Sequence, residues 1–286
     1  MARHRHRYRH RLAAEALALA ALLPLPPAAA EEGAPRRVVS LNVCTDQLAM
    51  LIAGEGQLHS VSYMAQLPEA SMLHEEAARY PVNHGLAEEV FLMQPDLVLT
   101  GTFTTRATTA LLRRLGFRIE EFPPETSFDD VRENMLRLGR LLGRDARAAE
   151  LVAALDRGLA GGAAGATGKL VATYSANSYT SGGGSLAGAV IEAAGLKNLG
   201  ARLGIAGAGY LSLESLVLAN PDLVAVDGRE YDAPALAVEN FVHPAFRRVA
   251  GDTKLVNVPA RSWLCGGPFN LEAVRILRAA AEGTGR

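Results

Sequence analysis

Two cysteines, a matched pair of glutamates and a few aromatic side chains are the residues of this 286-residue chain whose types and placement could do chemistry. Cys44 follows a β-branched run and precedes a helical pattern, where a strand-to-helix turn can present a nucleophile. A thiolate there would need a base. His84 and His243 are the histidines to weigh, but no hydrolase signature surrounds either. A cysteine-dependent hydrolase using Cys44 is the alternative function carried forward. His59, His74, His84 and His243 are scattered, with no short His-x3-His pair, and two cysteines exclude a four-cysteine zinc site, so no resident metal is expected. The Ser181-Gly-Gly-Gly-Ser185 run could turn backbone N–H groups toward an anion. It lacks the G-x-G-x-x-G spacing and a G-K-[ST] ending, which speaks against nucleotide, and no cofactor is expected.

Composition narrows the classes further. Apolar residues at 49% and charged residues at 21% describe a folded globular chain. A formal charge of −1 excludes the basic surface that general nucleic-acid binding requires. Residues 3–11 alternate arginine with histidine and tyrosine. An apolar run interrupted by Glu15 follows to Leu25, then small residues ending at Ala30. This is the layout of a secretory signal peptide over residues 1–30. Its removal takes away five arginines and one glutamate, leaving 24 basic against 29 acidic residues, a charge of −5. The expected compartment lies outside the cytoplasm, where thiols meet oxidising conditions.

The elements that must hold these residues alternate. The pattern predicts strands at 38–41, 58–63, 96–100 and 118–122, with helices at 45–53, 86–93 and 105–115 between them. Ser127 opens a long helical region, with Asp130 in a capping-box relation. Gly143 breaks it and Asp145 restarts it. A small-residue linker follows at 161–168, and then the alternation resumes. Strands are expected at 169–174, 222–226 and 254–258, with helices at 187–194, 213–218 and 271–281. Such alternation implies α/β architecture with mostly parallel sheets covered on both faces.

The chain also repeats itself. Pro95-Asp96-Leu97-Val98 recurs as Pro221-Asp222-Leu223-Val224, and seven residues before each proline stands a glutamate, Glu88 and Glu214. The offset is 126 residues for both. Two similar α/β lobes are the economical reading.

These motifs, together with Arg37-Val-Val-Ser-Leu41 and Leu111-Leu-Arg-Arg-Leu-Gly-Phe117, resemble the periplasmic substrate-binding proteins of ABC importers for cobalamin and ferric siderophores. The resemblance covers roughly residues 36–282. It implies two Rossmann-like lobes, 36–143 and 168–286, bridged by one long helix at 144–160, with a ligand cleft between them. It implies a monomer that captures a metal chelate (corrinoid, ferric siderophore or haem) in the periplasm and hands it to an ABC permease and its ATPase. Neither catalysis, nucleic acid nor a resident metal enters that function.

The resemblance also assigns residues. Glu88 and Glu214 match the family's pair of docking glutamates, which meet permease arginines; the plain alternative is two helix-N-terminal carboxylates favoured by the dipole. The cleft would be lined by loops after strands: residues 42–46, 63–64 and 102–106 in the first lobe, and 175–185, Tyr210, 227–231 and 262–269 in the second. Tyr63, Phe103, Tyr174, Tyr179, Tyr210 and Trp263 are the aromatics that could lie flat on a chelate, or else serve as core. Arg106 could pair with an anionic ligand group. Cys44 and Cys265 are both expected near the cleft. A bond between them needs Cα atoms within about 7 Å, and the sequence leaves both a free pair and a disulfide open.

Overall fold

The computed structural model describes residues 33–104, 106–160, 167–227 and 236–283. The segment read as a signal peptide, most of the 161–168 linker and residues 228–231 of a candidate loop lie outside them.

Short β-branched runs build the first sheet. Val38–Ser40 (β1), Leu58–Ser62 (β2), Val82–Asn83 (β3), Leu97–Gly101 (β4) and Ile119–Phe122 (β5) pair in parallel in the order β3-β2-β1-β4-β5. Parallel pairing requires crossovers. They are supplied by α1 (Val43–Ile52), α2 (His74–Ala77), α3 (Ala87–Met93) and α4 (Arg106–Arg114). The order reverses between β1 and β4. At such a reversal the loops leave the carboxyl ends of the strands in opposite directions and open a crevice.

Two helices lead out of this sheet. Ser127 caps α5 (Phe128–Leu142) in a reciprocal capping box with Asp130. Gly143, at φ 65° in the left-handed region, ends it at little steric cost. Then α6 (Asp145–Ala160) begins. Val131, Met135, Leu138, Leu142, Ala148, Leu151 and Leu155 are buried in the first lobe's core. Leu159 of α6 and Phe128 of α5 pack against the cores of both lobes. A side chain at Gly158 would overlap Leu271, so glycine allows the later helix to approach α6 closely.

The second lobe repeats the plan. Leu170–Thr173 (β6), Lys197–Asn198 (β8), Leu223–Val226 (β10) and Leu255–Asn257 (β11) form a parallel sheet in the order β11-β10-β6-β8. The element between β6 and β8 includes Tyr179–Ser181 (β7) and α7 (Leu186–Ala193). After β8 come α8 (Leu199–Arg202), Ala208–Tyr210 (β9) and α9 (Leu213–Ala219). Around β11 lie α10 (Glu239–Val242), α11 (Pro244–Lys254) and α12 (Asn270–Gly283). β7 and β9 pair antiparallel, Tyr179 opposite Tyr210. The serine- and glycine-rich segment read as loop thus contains a strand, whose partner lies about thirty residues further along the chain. Among the described residues no helix is long and apolar enough to cross a membrane.

The repeated Pro-Asp-Leu-Val serves the same purpose in both lobes. The Asp96 carboxylate accepts from the backbone N–H of Arg36 and Arg37 at 2.6 and 2.9 Å, and its own N–H donates to the Arg37 carbonyl. Asp222 accepts from the Leu170 N–H at 2.7 Å and donates to the Leu170 carbonyl. Each aspartate staples its strand to the first strand of its lobe. The helix before each proline closes on a left-handed residue, Gln94 and Asn220.

Candidate functional site

At the crevice predicted by the strand order lies a cleft open to solvent. Asn42 caps α1, Thr45 and Leu48 lie on that helix, Gly101 ends β4, and Thr102 to Thr104 follow it. Pro123, Pro124 and Glu125 follow β5, and Leu264 reaches in from the second lobe. Asn42 organises this edge with both ends of its amide. Its Oδ1 accepts from the N–H of Cys44 and of Thr45, capping α1, and its Nδ2 donates to Thr104 Oγ1 at 2.8 Å. A Cβ on Gly101 would stand 3.1 Å from both Asn42 Nδ2 and Thr104 Oγ1, so glycine keeps that bridge unobstructed.

Cys44 and Cys265 are joined in a disulfide, with Cα atoms 5.0 Å apart. The bond ties the first turn of α1 to the loop after β11, and so ties one lobe to the other beside the cleft. Asn270 holds that loop in shape. Its Nδ2 donates to the carbonyls of Ser262 and Cys265, and its Oδ1 accepts from the Gly267 N–H. Arg261 adds a second cross-lobe tie to the Pro68 carbonyl at 2.7 Å. The disulfide overturns the hydrolase alternative: Cys44 has no thiol to ionise, and thiolate is what such chemistry requires.

The other candidate residues divide between the cleft, the lobe surfaces and the core. Phe103 lines the cleft at 70% exposure, and the Arg106 guanidinium lies 5.5 Å from its ring centre, so these two do come together. Tyr63 is half exposed and stacks on His84, centroids 5.5 Å apart. Tyr179 and Tyr210 meet across the β7–β9 ribbon, rings 4.6 Å apart and hydroxyls 2.9 Å apart. That hydroxyl contact holds the Tyr210 phenol above its ordinary value. Tyr174 does not reach the cleft. It is fully buried, stacked on Phe246 and edge-on to Phe241, with its hydroxyl 2.9 Å from Ser178 Oγ. It is a core residue of the second lobe. Trp263 is half-buried against that lobe's other core cluster, next to Leu264, and Cys265 is fully buried. Glu88 and Glu214 are exposed in the first turns of α3 and α9. Pro123, Pro124 and Glu125 were missed by the sequence reading; the carboxyl end of strand β5 was the signal that could have found them.

Asp46, one helical turn into α1, is completely buried. Burial pushes its carboxyl from 3.8 to about 7, against the nearby Ser40 hydroxyl and the hydrogen bonds from the Ser62 hydroxyl and N–H, which pull it down. Its other oxygen, Oδ1, has no partner among the described residues. The native state therefore holds a proton that the unfolded state releases between about pH 4 and 7. Stability is fullest below the unfolded value and is lost as pH rises toward 7, by up to about 1.4 kcal/mol per pH unit, then levels off. Asp46→Asn is expected to remove this slope. Chemical unfolding of both proteins from pH 4 to 8 checks it, and a wild-type-minus-variant difference that does not vary with pH would contradict it.

Residues 38–247 match the family model described as periplasmic binding protein. The chain is 31% identical over 247 residues to a cobalamin-binding protein of Halobacterium salinarum, covering 80% of this chain and 66% of that one. It thus spans just under two thirds of that relative's length. Solved structures similar in fold include a possible iron-binding periplasmic solute-binding protein from Staphylococcus epidermidis, with TM-score 0.70 and 18% identity, covering 86% of this chain and 98% of that one. The periplasmic vitamin B12-binding protein of Vibrio cholerae matches with TM-score 0.67 and 17% identity, over 88% and 98%. A periplasmic haem-binding protein from Pseudomonas aeruginosa matches with TM-score 0.66 and 21% identity, over 86% and 92%. At these identities the solved structures establish the fold: two α/β lobes with mostly parallel sheets.

Proposed function

The chain belongs to the periplasmic binding protein family, and from that premise we propose that it captures a metal chelate between its lobes and presents it to an ABC permease powered by its ATPase. The observation that carries this reading is the cleft itself. It sits at the β1/β4 reversal, is lined by hydroxyl, amide and apolar groups with one carboxylate, Glu125, and is reached by Leu264 from the opposite lobe. Such a lining contacts the organic periphery of a chelate, and the Asn134 amide holds the Glu125 carboxylate at 2.8 Å. A ligand covered from both lobes loses most of its water-exposed surface. Phe103 offers an exposed ring for a flat ligand, and Arg106 beside it offers a cation for a carboxylate or phosphate on that ligand.

The family's relatives whose descriptions name cobalamin, haem and iron support the chelate class. The signal-peptide pattern of residues 1–30 supports export, the disulfide suits an oxidising compartment, and the protein works as a monomer whose Glu88 and Glu214 meet the permease. Nothing in this cycle requires bond-making by the chain; work comes from the ATPase.

Trp263 is the chain's one tryptophan and adjoins Leu264 at the cleft. Titration with cyanocobalamin, haemin and a ferric hydroxamate, followed by Trp263 emission and ligand absorbance, tests the proposal. One of them is expected to quench emission saturably at micromolar concentration or below. Absence of saturable binding by all three would overturn the chelate reading.

A further inference from the structure

The two most exposed large apolar side chains among the described residues are Leu218, at 85%, and Leu92, at 80%. They are separated by 126 residues, the same offset that relates the two lobes. Each stands four positions after a glutamate on its helix, Leu92 after Glu88 on α3 and Leu218 after Glu214 on α9, which places leucine and carboxylate on one face. Beside them, at equivalent positions again, Phe91 and Val217 are 45% and 38% exposed. The fold does not need these leucines. The inward positions of the same helices, Val90 and Leu216, are fully buried and supply the packing.

We propose that Leu92 and Leu218 are paired apolar anchors for the permease, each seated in an apolar socket with a cationic rim; this rests on the reading of Glu88 and Glu214 as docking carboxylates. The charge pattern selects that occupant. A second copy would bring acid against acid. An anionic membrane surface would repel the same carboxylates. A partner with two equivalent sockets, each apolar at the centre and basic at the edge, satisfies both faces at once. Burying an exposed leucine within a ring of polar contacts is how a few residues come to dominate an interface, while the glutamates set orientation and encounter rate.

The test measures association of the full chain with its permease–ATPase complex in lipid nanodiscs, with empty nanodiscs as control. Leu92→Ser with Leu218→Ser is expected to weaken association roughly a hundredfold, with melting temperature and chelate affinity unchanged. The loss persists at high salt, whereas the effect of Glu88→Arg with Glu214→Arg shrinks there. Wild-type association of the leucine variant, while the glutamate variant fails, overturns the anchors and leaves carboxylate docking standing. Wild-type association of both variants overturns the two readings together. Loss in the leucine variant alone overturns the socket with a cationic rim and removes the carboxylates from docking. Leucine-dependent binding to empty nanodiscs, or leucine-dependent self-association in sedimentation, overturns the proposal in favour of lipid or a second copy.

Discussion

Replacing Glu88 and Glu214 together by arginine is expected to stop delivery to the permease while chelate affinity stays within about twofold of wild type, because neither residue lines the cleft. Both carboxylates are exposed in the first turns of short helices that occupy equivalent places in the two lobes. Reversing them turns two attractions into two repulsions. Each disrupted charge pair at an interface costs about 2–5 kcal/mol, so the double reversal should weaken association by at least several hundredfold. Glu88→Gln with Glu214→Gln removes attraction without adding repulsion and should fall between. Uptake into proteoliposomes carrying the permease and its ATPase reads delivery, and a ligand titration reads capture. Wild-type delivery by the arginine double variant would remove these residues from docking.

Loss of the Cys44–Cys265 bond is the other large effect expected. The disulfide closes a loop spanning 221 positions and joins the two lobes. Cross-linking so long a loop restricts the unfolded ensemble, and native disulfides of this kind contribute about 2–4 kcal/mol. For a chain of this size that corresponds to a melting temperature lower by roughly 5–15 °C. Cys44→Ala with Cys265→Ala is the suitable variant, because Cys265 is fully buried among Val43, Ala70 and Phe269, where a serine hydroxyl would be left without water. Wild-type protein melted in excess reductant should shift by a similar amount. An unchanged melting temperature in both experiments would show that the tie between the lobes contributes nothing to stability.

How much of this could be read beforehand depends on how local each signal is. Pro95 and Pro221 stop helices wherever the rest of the chain lies, and the Pro-Asp-Leu-Val copies announce two related lobes. The strand runs 38–40, 97–101 and 170–173 are short and apolar because parallel strands are buried on both faces, so they also stood out. Tyr174 was misread because its partners, Phe241 and Phe246, lie about seventy residues downstream, and no local pattern shows that they cover it. The β7–β9 ribbon was missed for the same reason: Tyr179-Thr180-Ser181 has three residues, and its partner strand comes only after two helices and another strand. Proximity of Cys44 to the cleft followed from its place after β1. The bond to Cys265 depended on the distance between lobes, which no sequence pattern encodes. Asp46 ends the 42–46 segment expected to line the cleft, but the packing of α1 onto β2 buries it completely instead.

The central claim is that a metal chelate is held between the two lobes at the carboxyl ends of β1 and β4. Amide hydrogen exchange of the full chain, compared without ligand and with saturating cyanocobalamin, haemin or ferric hydroxamate, tests it most directly. The account predicts that at least one chelate protects residues 42–48 and 101–104 of the first lobe together with 262–265 of the second, and leaves the α3 and α9 faces bearing Glu88 and Glu214 unchanged. Protection confined to one lobe, or located away from these segments, or absent with all three chelates, would contradict it.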